Sequence, residues 1–304
     1  MNSRPATTDT TADSRDTSGK IQRALAQPAL FDGGPRRVPL QQAVAPLRDE
    51  AAKYLVERGF TSRPLPLEEL HHHVSAEDQA WTTERLSRAS CELASASPGL
   101  LAAYHDLVRL VAREVLGFDV VFERDPPLRF HFPVPAPQRF RAPDGSLLTH
   151  HSDILLGDYF EQINMWLPLT DAAGSASLLA TPFETSIEVL RAFAASVGYD
   201  FGRFRTGRTA FYELLVSDDA LRGKLSAACL PVPVRWGDLL MFDPRVVHGT
   251  AENREGTTRV SIDFRVVPLD AYERLVAEDA GKHTIEGHVA VRGGFYDERS
   301  AFQL

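Results

Sequence analysis

Residues 258–267 read TRVSIDFRVV, and this stretch decides the fold. Because successive side chains of a β-strand point to opposite faces, the alternation of apolar and polar residues predicts a strand with two different faces. The apolar face carries Val260, Ile262, Phe264 and Val266, and the polar face carries Arg259, Ser261, Asp263 and Arg265. A polar face that bears arginines can either meet solvent or line a barrel that holds an anion.

The segments between Gly117 and this strand have a similar texture. They are short apolar or alternating runs broken by Pro, Gly and Asp, which is typical of a sandwich or barrel of β-strands. The runs are DVVFE (119–123), LRFHFPV (128–134), LLTHHSDI (147–154), FEQINMWLPL (160–169), ASLLAT (176–181), LPVPVRWGDLLMFDP (230–244) and VVHGTAE (246–252).

Helical patterns flank and interrupt these strands. Residues 39–60 and 98–117 have apolar side chains at helical spacing, and a glycine, Gly59 or Gly117, stands where each helix would end. Residues 183–198 and 209–225 predict two further helices inside an insertion spanning 183–228. We therefore expect a disordered leader at 1–20, a helical segment at 21–117 that packs on the core, and a β core at 118–304.

Composition limits the class of protein. The chain has 304 residues, 43% hydrophobic and 24% charged, with a formal net charge of −8. These values are ordinary for a globular protein and favour neither nucleic-acid nor membrane partners. Cys91 and Cys229 form no CxxC pair and predict buried free thiols. Without an apolar leader or a long apolar run, a cytoplasmic location is expected.

The stretch THHSD at 149–153 offers candidate metal ligands. If it is a strand, His151 and Asp153 point to one side and His150 to the other, so only His151 can act with Asp153. His248 follows a later apolar strand and can supply a third ligand. Two histidines and one carboxylate form the facial triad of non-haem iron(II) oxygenases, so iron is the predicted metal.

Arg259, eleven positions after His248, adds an anion site. If its strand belongs to the same barrel, the guanidinium enters the metal cavity, where its planar geometry suits a carboxylate. An organic acid is therefore the predicted cosubstrate.

These motifs, together with INMWLPLTDAAGSASL (163–178), resemble the phytanoyl-CoA dioxygenase superfamily of Fe(II)/2-oxoglutarate oxygenases. The resemblance covers roughly residues 125 to 270 and is strongest to the branch found in antibiotic, aminoglycoside or streptomycin-type biosynthesis. It implies a mainly β fold with flanking helices, a double-stranded β-helix of the jelly-roll or cupin-like kind. The long helical insertion departs from the family pattern and prevents a direct transfer of the substrate pocket.

The resemblance also implies roles for individual residues. His151, Asp153 and His248 match the iron ligands, and Arg259 matches the arginine that pairs with the far carboxylate of 2-oxoglutarate. Thr250 matches a hydroxyl that assists this arginine. Because halogenating relatives lack the ligand carboxylate, the presence of Asp153 argues against halogenation.

Several other polar residues are candidates for the site. Asn164 shares a predicted polar face with Gln162 and Trp166 and is a candidate cosubstrate contact. His131 and Arg129 share a strand face and could reach the substrate. Arg245 and Arg265 could either hold a polar or anionic substrate or form salt bridges.

The sequence therefore predicts an enzyme that oxidises, most simply by hydroxylation, a small polar intermediate of secondary metabolism. Oxygen is consumed and 2-oxoglutarate is converted to succinate and CO2. Two alternatives stay open: the same chemistry on an amino acid, peptide or acyl thioester, and a catalytically silent cupin-like binding protein. The oligomeric state is not predicted.

Overall fold

The computed structural model describes residues 25–31, 34–79, 97–125, 127–156, 160–197, 206–278, 288–292 and 295–297. The predicted leader at 1–20 and Cys91 lie outside these ranges. Within the described ranges the chain forms two antiparallel β-sheets with flanking helices. The strands are β1 (Arg36–Pro39), β2 (Val120–Glu123), β3 (Leu128–His131), β4 (Ile163–Pro168), β5 (Leu178–Ala180), β6 (Leu230–Val232), β7 (Asp238–Phe242), β8 (His248–Thr250), β9 (Arg259–Pro268), β10 (His288–Arg292) and β11 (Phe295–Asp297).

Helices flank the strands, as the sequence patterns predict. They are α1 (Gln41–Glu57), α2 (Pro98–Leu110), α3 (Phe183–Val197), α4 (Thr206–Ser217), α5 (Asp219–Ala228) and α6 (Leu269–Glu278). A π-helical turn, Val111–Leu116, continues α2 and ends at Gly117, whose φ of 75° is left-handed. None of the helices in these ranges is long and apolar enough to cross a bilayer.

The larger sheet has β9 near its centre. Its strand order is β1-β7-β4-β9-β2-β10-β11 among the described residues. All its pairings are antiparallel, and the long strand β9 pairs with β4 along one edge and with β3 and then β2 along the other.

A smaller sheet packs against the larger one. Its order is β6-β5-β8, and both pairings are antiparallel. Side chains of β5 share a buried cluster with Trp166, Leu240 and Phe242 of the larger sheet. Two antiparallel sheets that face each other in this way form the double-stranded β-helix expected from the sequence.

The predicted two faces of β9 are both observed. Its apolar residues Val260, Ile262 and Phe264 are buried in the cluster that α1 and α2 form with the larger sheet. The ring of Tyr104 from α2 stands edge-on to Phe264, with 5.3 Å between the ring centroids. The helices therefore cover the outer face of the sheet and leave the polar face of β9 toward the space between the sheets.

The described residues of the insertion, 183–197 and 206–228, form three helices where two were expected. The predicted helix over 209–225 is wrong as a single element, because Asp218 interrupts it and its side chain accepts a hydrogen bond from the backbone N–H of Leu221 at 2.9 Å. Buried residues of these helices, including Phe193 and Phe211, share a cluster with Ile154 and Leu155. The insertion therefore packs directly against the turn that follows THHSD.

Candidate metal and cosubstrate site

Backbone pairing brings His151 and His248 together. His248 begins β8, and an isolated antiparallel bridge joins it to His151, with both N–H to O distances at 2.8 Å. At Gly249, which follows His248, the two segments approach each other closely. A Cβ at this position would lie 3.0 Å from the Thr149 hydroxyl oxygen. The smaller sheet is thus extended by the segment that carries the first two predicted ligands.

Asp153 completes a compact group with these histidines. Its Oδ1 lies 3.7 Å from Nε2 of His151 and 3.5 Å from Nε2 of His248. One donor atom from each of the three residues lies within 4.8 Å of the other two. The predicted ligands therefore converge on one point.

The predicted strand at THHSD is wrong in its second half. After the His151 bridge the chain turns, and Asp153 begins a 3-10 helix that runs to Leu156. Hydrogen bonds cause this turn, because Pro244 O accepts from the Ser152 hydroxyl at 2.7 Å and from the Asp153 N–H at 3.2 Å. His151 and Asp153 nevertheless both line the cavity.

His150 lies apart from this group, as strand alternation predicts. It is buried, but it is not among the residues that line the cavity. Burial, with a further contribution from the charge of His248, lowers the pKa of His150 to about 4. Its imidazole is therefore neutral at physiological pH and belongs to the packed interior.

The two converging histidines present the nitrogen that a metal needs. Nδ1 of His151 lies 2.9 Å from Thr149 O, and Nδ1 of His248 lies 3.0 Å from Val246 O. Since a carbonyl oxygen only accepts, each Nδ1 carries the proton and each Nε2 offers its lone pair. This is the tautomer of metal-bound histidine.

The carboxylate of Asp153 is held for ligation through one oxygen. Its Oδ2 accepts hydrogen bonds from Arg265 Nε at 3.0 Å and Nη2 at 2.8 Å, whereas its buried Oδ1 has no hydrogen-bond partner within the described ranges. Burial alone would raise the pKa of Asp153, but the charges of Arg265, His248 and His151 outweigh it and keep the pKa below its usual range. A buried carboxylate oxygen beside two imidazole lone pairs fits a divalent cation.

Arg259 lies in the same cavity, which has a volume of about 480 Å³. The guanidinium is buried, stands 5.6 Å from the ring centroid of Trp166, and donates from Nη1 to Ala176 O at 3.3 Å. Its Nε has no hydrogen-bond partner in the described part of the chain. Burial lowers the pKa of Arg259 to about 10, against an opposing effect of Asp263, so the group stays charged at neutral pH. A buried cation with an unused donor fits an anionic ligand.

Three further polar side chains line this part of the cavity. Asn164 accepts at Oδ1 from Gln162 Nε2 at 2.9 Å, and its own Nδ2 lacks a partner among the described residues. Thr250 lines the wall, and its backbone N–H donates to the Thr149 hydroxyl at 3.1 Å. Ser261 was not predicted as a site residue, although it lies two residues after Arg259 on the same polar strand face. Its buried hydroxyl also has no hydrogen-bond partner in the described ranges.

His131 and Arg129 line the cavity from the neighbouring strand β3. His131 is paired in register with Arg259, and Arg129 with Ser261. Burial, followed by the charge of Arg259, lowers the pKa of His131 to about 2. Arg129 is more open, with 53% of its side chain exposed, and forms an ion pair with Asp263 at 2.8 Å.

The remaining two predicted arginines have other partners. Arg245 does not line the cavity, and of its two predicted roles the structure shows the salt bridge. Its fully buried guanidinium pairs with Asp243 at 2.6 Å and donates to the backbone carbonyls of Gln27 and Pro28. Arg265 does line the cavity, but it is directed to Asp153.

A double-stranded β-helix with two histidines and one carboxylate that converge in its cavity has the architecture of a non-haem iron(II) oxygenase. The sequence model of the family described as phytanoyl-CoA dioxygenase (PhyH) matches residues 41–261. The chain therefore belongs to the phytanoyl-CoA dioxygenase family and is an iron(II)/2-oxoglutarate-dependent oxygenase. No match is found among curated protein sequences.

Solved structures of similar fold are distant in sequence. The epimerase SnoN from nogalamycin biosynthesis, described as non-haem and α-ketoglutarate-dependent, is 13% identical, with 82% of this chain and 83% of that chain covered and a TM-score of 0.40. AviO1 from Streptomyces viridochromogenes Tue57 is 19% identical, with 78% and 91% covered and a TM-score of 0.41. EctD from S. alaskensis, solved with 2-oxoglutarate and 5-hydroxyectoine, is 15% identical, with 88% and 80% covered and a TM-score of 0.42.

Metal binding should distinguish the two neighbouring histidines. His151→Ala removes an Nε2 from the converging group, so we expect the apoprotein to lose Co(II) binding, measured by the visible absorption of the bound ion. His150→Ala is the matched control and should retain binding, because that ring is outside the cavity. Equal loss in both variants would contradict the assignment of His151.

Acid should destabilise the fold through His131. The unfolded imidazole titrates near ~6.5, whereas the folded one titrates at about 2. Between these values the unfolded chain binds the proton and the folded chain does not. The free energy of unfolding therefore decreases as the pH is lowered, by at most ~1.4 kcal/mol per pH unit. Urea unfolding at pH 7 and pH 5 should show a smaller decrease for His131→Gln than for the wild type. The same decrease in the free energy of unfolding in both proteins would contradict a neutral, buried His131 imidazole.

Proposed function

We propose that this oxygenase oxidises, most simply by hydroxylation, a small polar intermediate of secondary metabolism. The supporting observation is that the His151, Asp153 and His248 group and the buried cation Arg259 line one cavity. A metal triad alone fits many enzymes, whereas a triad with a buried arginine fits a keto acid with two carboxylates. Within the family, we assign the chain to the branch of antibiotic biosynthesis on its sequence resemblance.

We assign the iron to His151, Asp153 and His248, and the far carboxylate of 2-oxoglutarate to Arg259. The bound metal and cosubstrate supply oxygen activation coupled to conversion of 2-oxoglutarate to succinate and CO2. Ser261, which shares the strand face of Arg259, is a second donor for the carboxylate. Thr250 and Asn164 complete the cosubstrate wall.

The chain itself contributes orientation and exclusion of water. Arg259 is enclosed by Trp166 and by the carbonyl of Ala176, so a carboxylate that reaches it leaves bulk solvent. In such surroundings a charge-assisted pair is stronger than at the surface. Binding of the cosubstrate would satisfy the unused Nε of Arg259 and orient the keto acid toward the triad.

Substrate would enter from the wall formed by β3 and the insertion. Phe130 and Phe132 of this region stack at 6.2 Å between ring centroids, and Tyr212 of α4 contributes an aromatic side chain from the insertion to the cavity lining. Arg129 and His131 are the polar groups on β3. We propose that the aromatic side chains contact the body of the substrate and that Arg129 binds a polar or anionic substituent.

The size and chemistry of the cavity limit the outcome. About 480 Å³ shared with a cosubstrate suits a small molecule better than a folded protein substrate. Asp153 fills the carboxylate position, which argues against halogenation. The same chemistry on an amino acid, a short peptide or an acyl thioester is the second candidate, whereas family membership disfavours a silent binding protein.

We also propose the domain division expected from the sequence. Residues 118–304 would form the dioxygenase core, with residues 21–117 packed on its outer face and the insertion at 183–228 closing one side of the cavity. The contact between α4 and the turn after Asp153 supports a role of the insertion in shaping the site.

Turnover should test the proposed reaction. With Fe(II), oxygen and 2-oxoglutarate, we expect succinate release to rise above the uncoupled background only with a matching substrate from a panel of small polar metabolites, amino acids and acyl thioesters. Mass spectrometry of the product distinguishes hydroxylation, which adds one oxygen, from desaturation or cyclisation, which removes two hydrogens, and from epimerisation, which leaves the mass unchanged. Stimulation only by acyl thioesters would overturn the small-metabolite proposal.

Arg259→Ala should weaken 2-oxoglutarate binding strongly. Removing one partner of a buried charged pair costs about 2–5 kcal/mol, so roughly a 30-fold or larger increase in the Kd is expected. The measurement is the visible charge-transfer band of the anaerobic Fe(II) and 2-oxoglutarate complex. Arg274→Ala, which removes an exposed ion pair with Asp270, is the control and should titrate as the wild type does. An unchanged Kd in Arg259→Ala would assign the carboxylate to another residue.

A further inference from the structure

The two carboxylate oxygens of Asp153 have different surroundings. Oδ2 accepts two hydrogen bonds from one guanidinium, from Arg265 Nε at 3.0 Å and from Arg265 Nη2 at 2.8 Å. Oδ1 accepts none from the described residues and lies between the Nε2 atoms of His151 and His248. The side chain of Asp153 is 1% exposed, so water does not compete for either oxygen.

Arg265 is itself held in place by acidic side chains. Its Nη1 donates to Asp263 Oδ2 at 3.1 Å and lies 3.7 Å from Glu123 Oε2. Glu123 Oε2 also accepts from the backbone N–H of Arg265 at 3.1 Å. Asp263 in turn pairs with Arg129. The guanidinium is therefore anchored on one side and directed toward Asp153 on the other.

We propose that Arg265 is a positioning residue for the metal ligand Asp153. Its two converging hydrogen bonds occupy Oδ2 and leave Oδ1 as the single oxygen that faces the histidines. This inference rests on the proposed metal site and adds to it the residue that determines how the carboxylate binds. It also assigns a role to Arg265, for which the sequence left open a substrate contact or a salt bridge.

The physical reason is the geometry of the guanidinium. Arginine presents two N–H groups in one rigid plane, and here both converge on Oδ2, so that this oxygen is held from two directions at once. Groups that orient a metal ligand from outside the coordination sphere commonly contribute 10–100-fold to metal affinity. Without Arg265, the carboxylate of Asp153 would be free to rotate, and its buried charge would lack its nearest counter-charge.

Metal titration of the apoprotein tests this role without relying on turnover. The wild type, Arg265→Met and Arg265→Lys are titrated with Co(II) and followed by its visible absorption. We expect Arg265→Met to weaken Co(II) binding by about 10–100-fold. The Co(II) affinity of Arg265→Lys should lie between those of the wild type and Arg265→Met, because lysine restores the charge but not the planar pair of donors.

Arg129→Met is the matched control. It removes an arginine from the same chain of ion pairs, but this arginine contacts Asp263 and not Asp153. Co(II) affinity in this variant should stay at the wild-type value. Thermal unfolding of each apoprotein separates folding from metal binding, since a purely structural role would lower the Tm of Arg265→Met and leave the Co(II) affinity of the folded protein unchanged.

Each outcome separates the positioning role from the metal site. If the wild type and His151→Ala both fail to bind Co(II), the proposed metal site itself is wrong. If the wild type binds and Arg265→Met binds equally well, only the positioning role is overturned. Equal weakening by Arg129→Met would also overturn it, because the effect would then come from net charge. If Arg265→Met does not fold, wild-type affinity in Arg265→Lys overturns the requirement for two donors.

Discussion

The site depends on the backbone pairing of His151 with His248. Two hydrogen bonds of 2.8 Å join segments that are far apart in sequence and so extend the smaller sheet by one bridge. Each histidine then directs its Nδ1 to a backbone carbonyl of its own segment, which leaves both Nε2 atoms toward one point. The chain turns immediately afterwards and places Asp153 opposite them. A shift of this pairing by one residue would exchange His151 for His150 and separate the ligands.

Buried charges in this region are compensated unequally. Asp153, Arg265, Asp263 and Arg129 alternate in sign, so the buried carboxylate of Asp153 and the half-buried one of Asp263 each have a guanidinium beside them. Arg259 differs, because its direct hydrogen bond goes to a neutral carbonyl and its Nε has no partner within the described ranges. A buried cation without a close counter-ion is costly for folding. An anionic ligand that binds to Arg259 would offset this cost by supplying the counter-ion.

Much of the fold could be predicted from periodicity. The alternation in β9 identified both the face that packs under α1 and α2 and the face that lines the cavity. The helices at 41–57 and 98–110 followed from apolar spacing and terminal glycines. Elements were mispredicted where a local hydrogen bond interrupted a periodic pattern, as at Asp218 in the insertion and at Ser152 after the bridge.

The sequence by itself determined which residues could be ligands and which face of a strand they share. Residue type and alternation select His151 over His150 and assign Arg259 to the polar face of β9. Only the tertiary structure decided the roles of the other arginines. Arg245 points into a buried ion pair with Asp243, and Arg265 reaches across to Asp153. The physical reason is that the position of a residue along a strand determines the face on which its side chain lies, but not which residue the end of that side chain contacts. A long, flexible arginine takes its partner from whichever carboxylate the fold brings within reach.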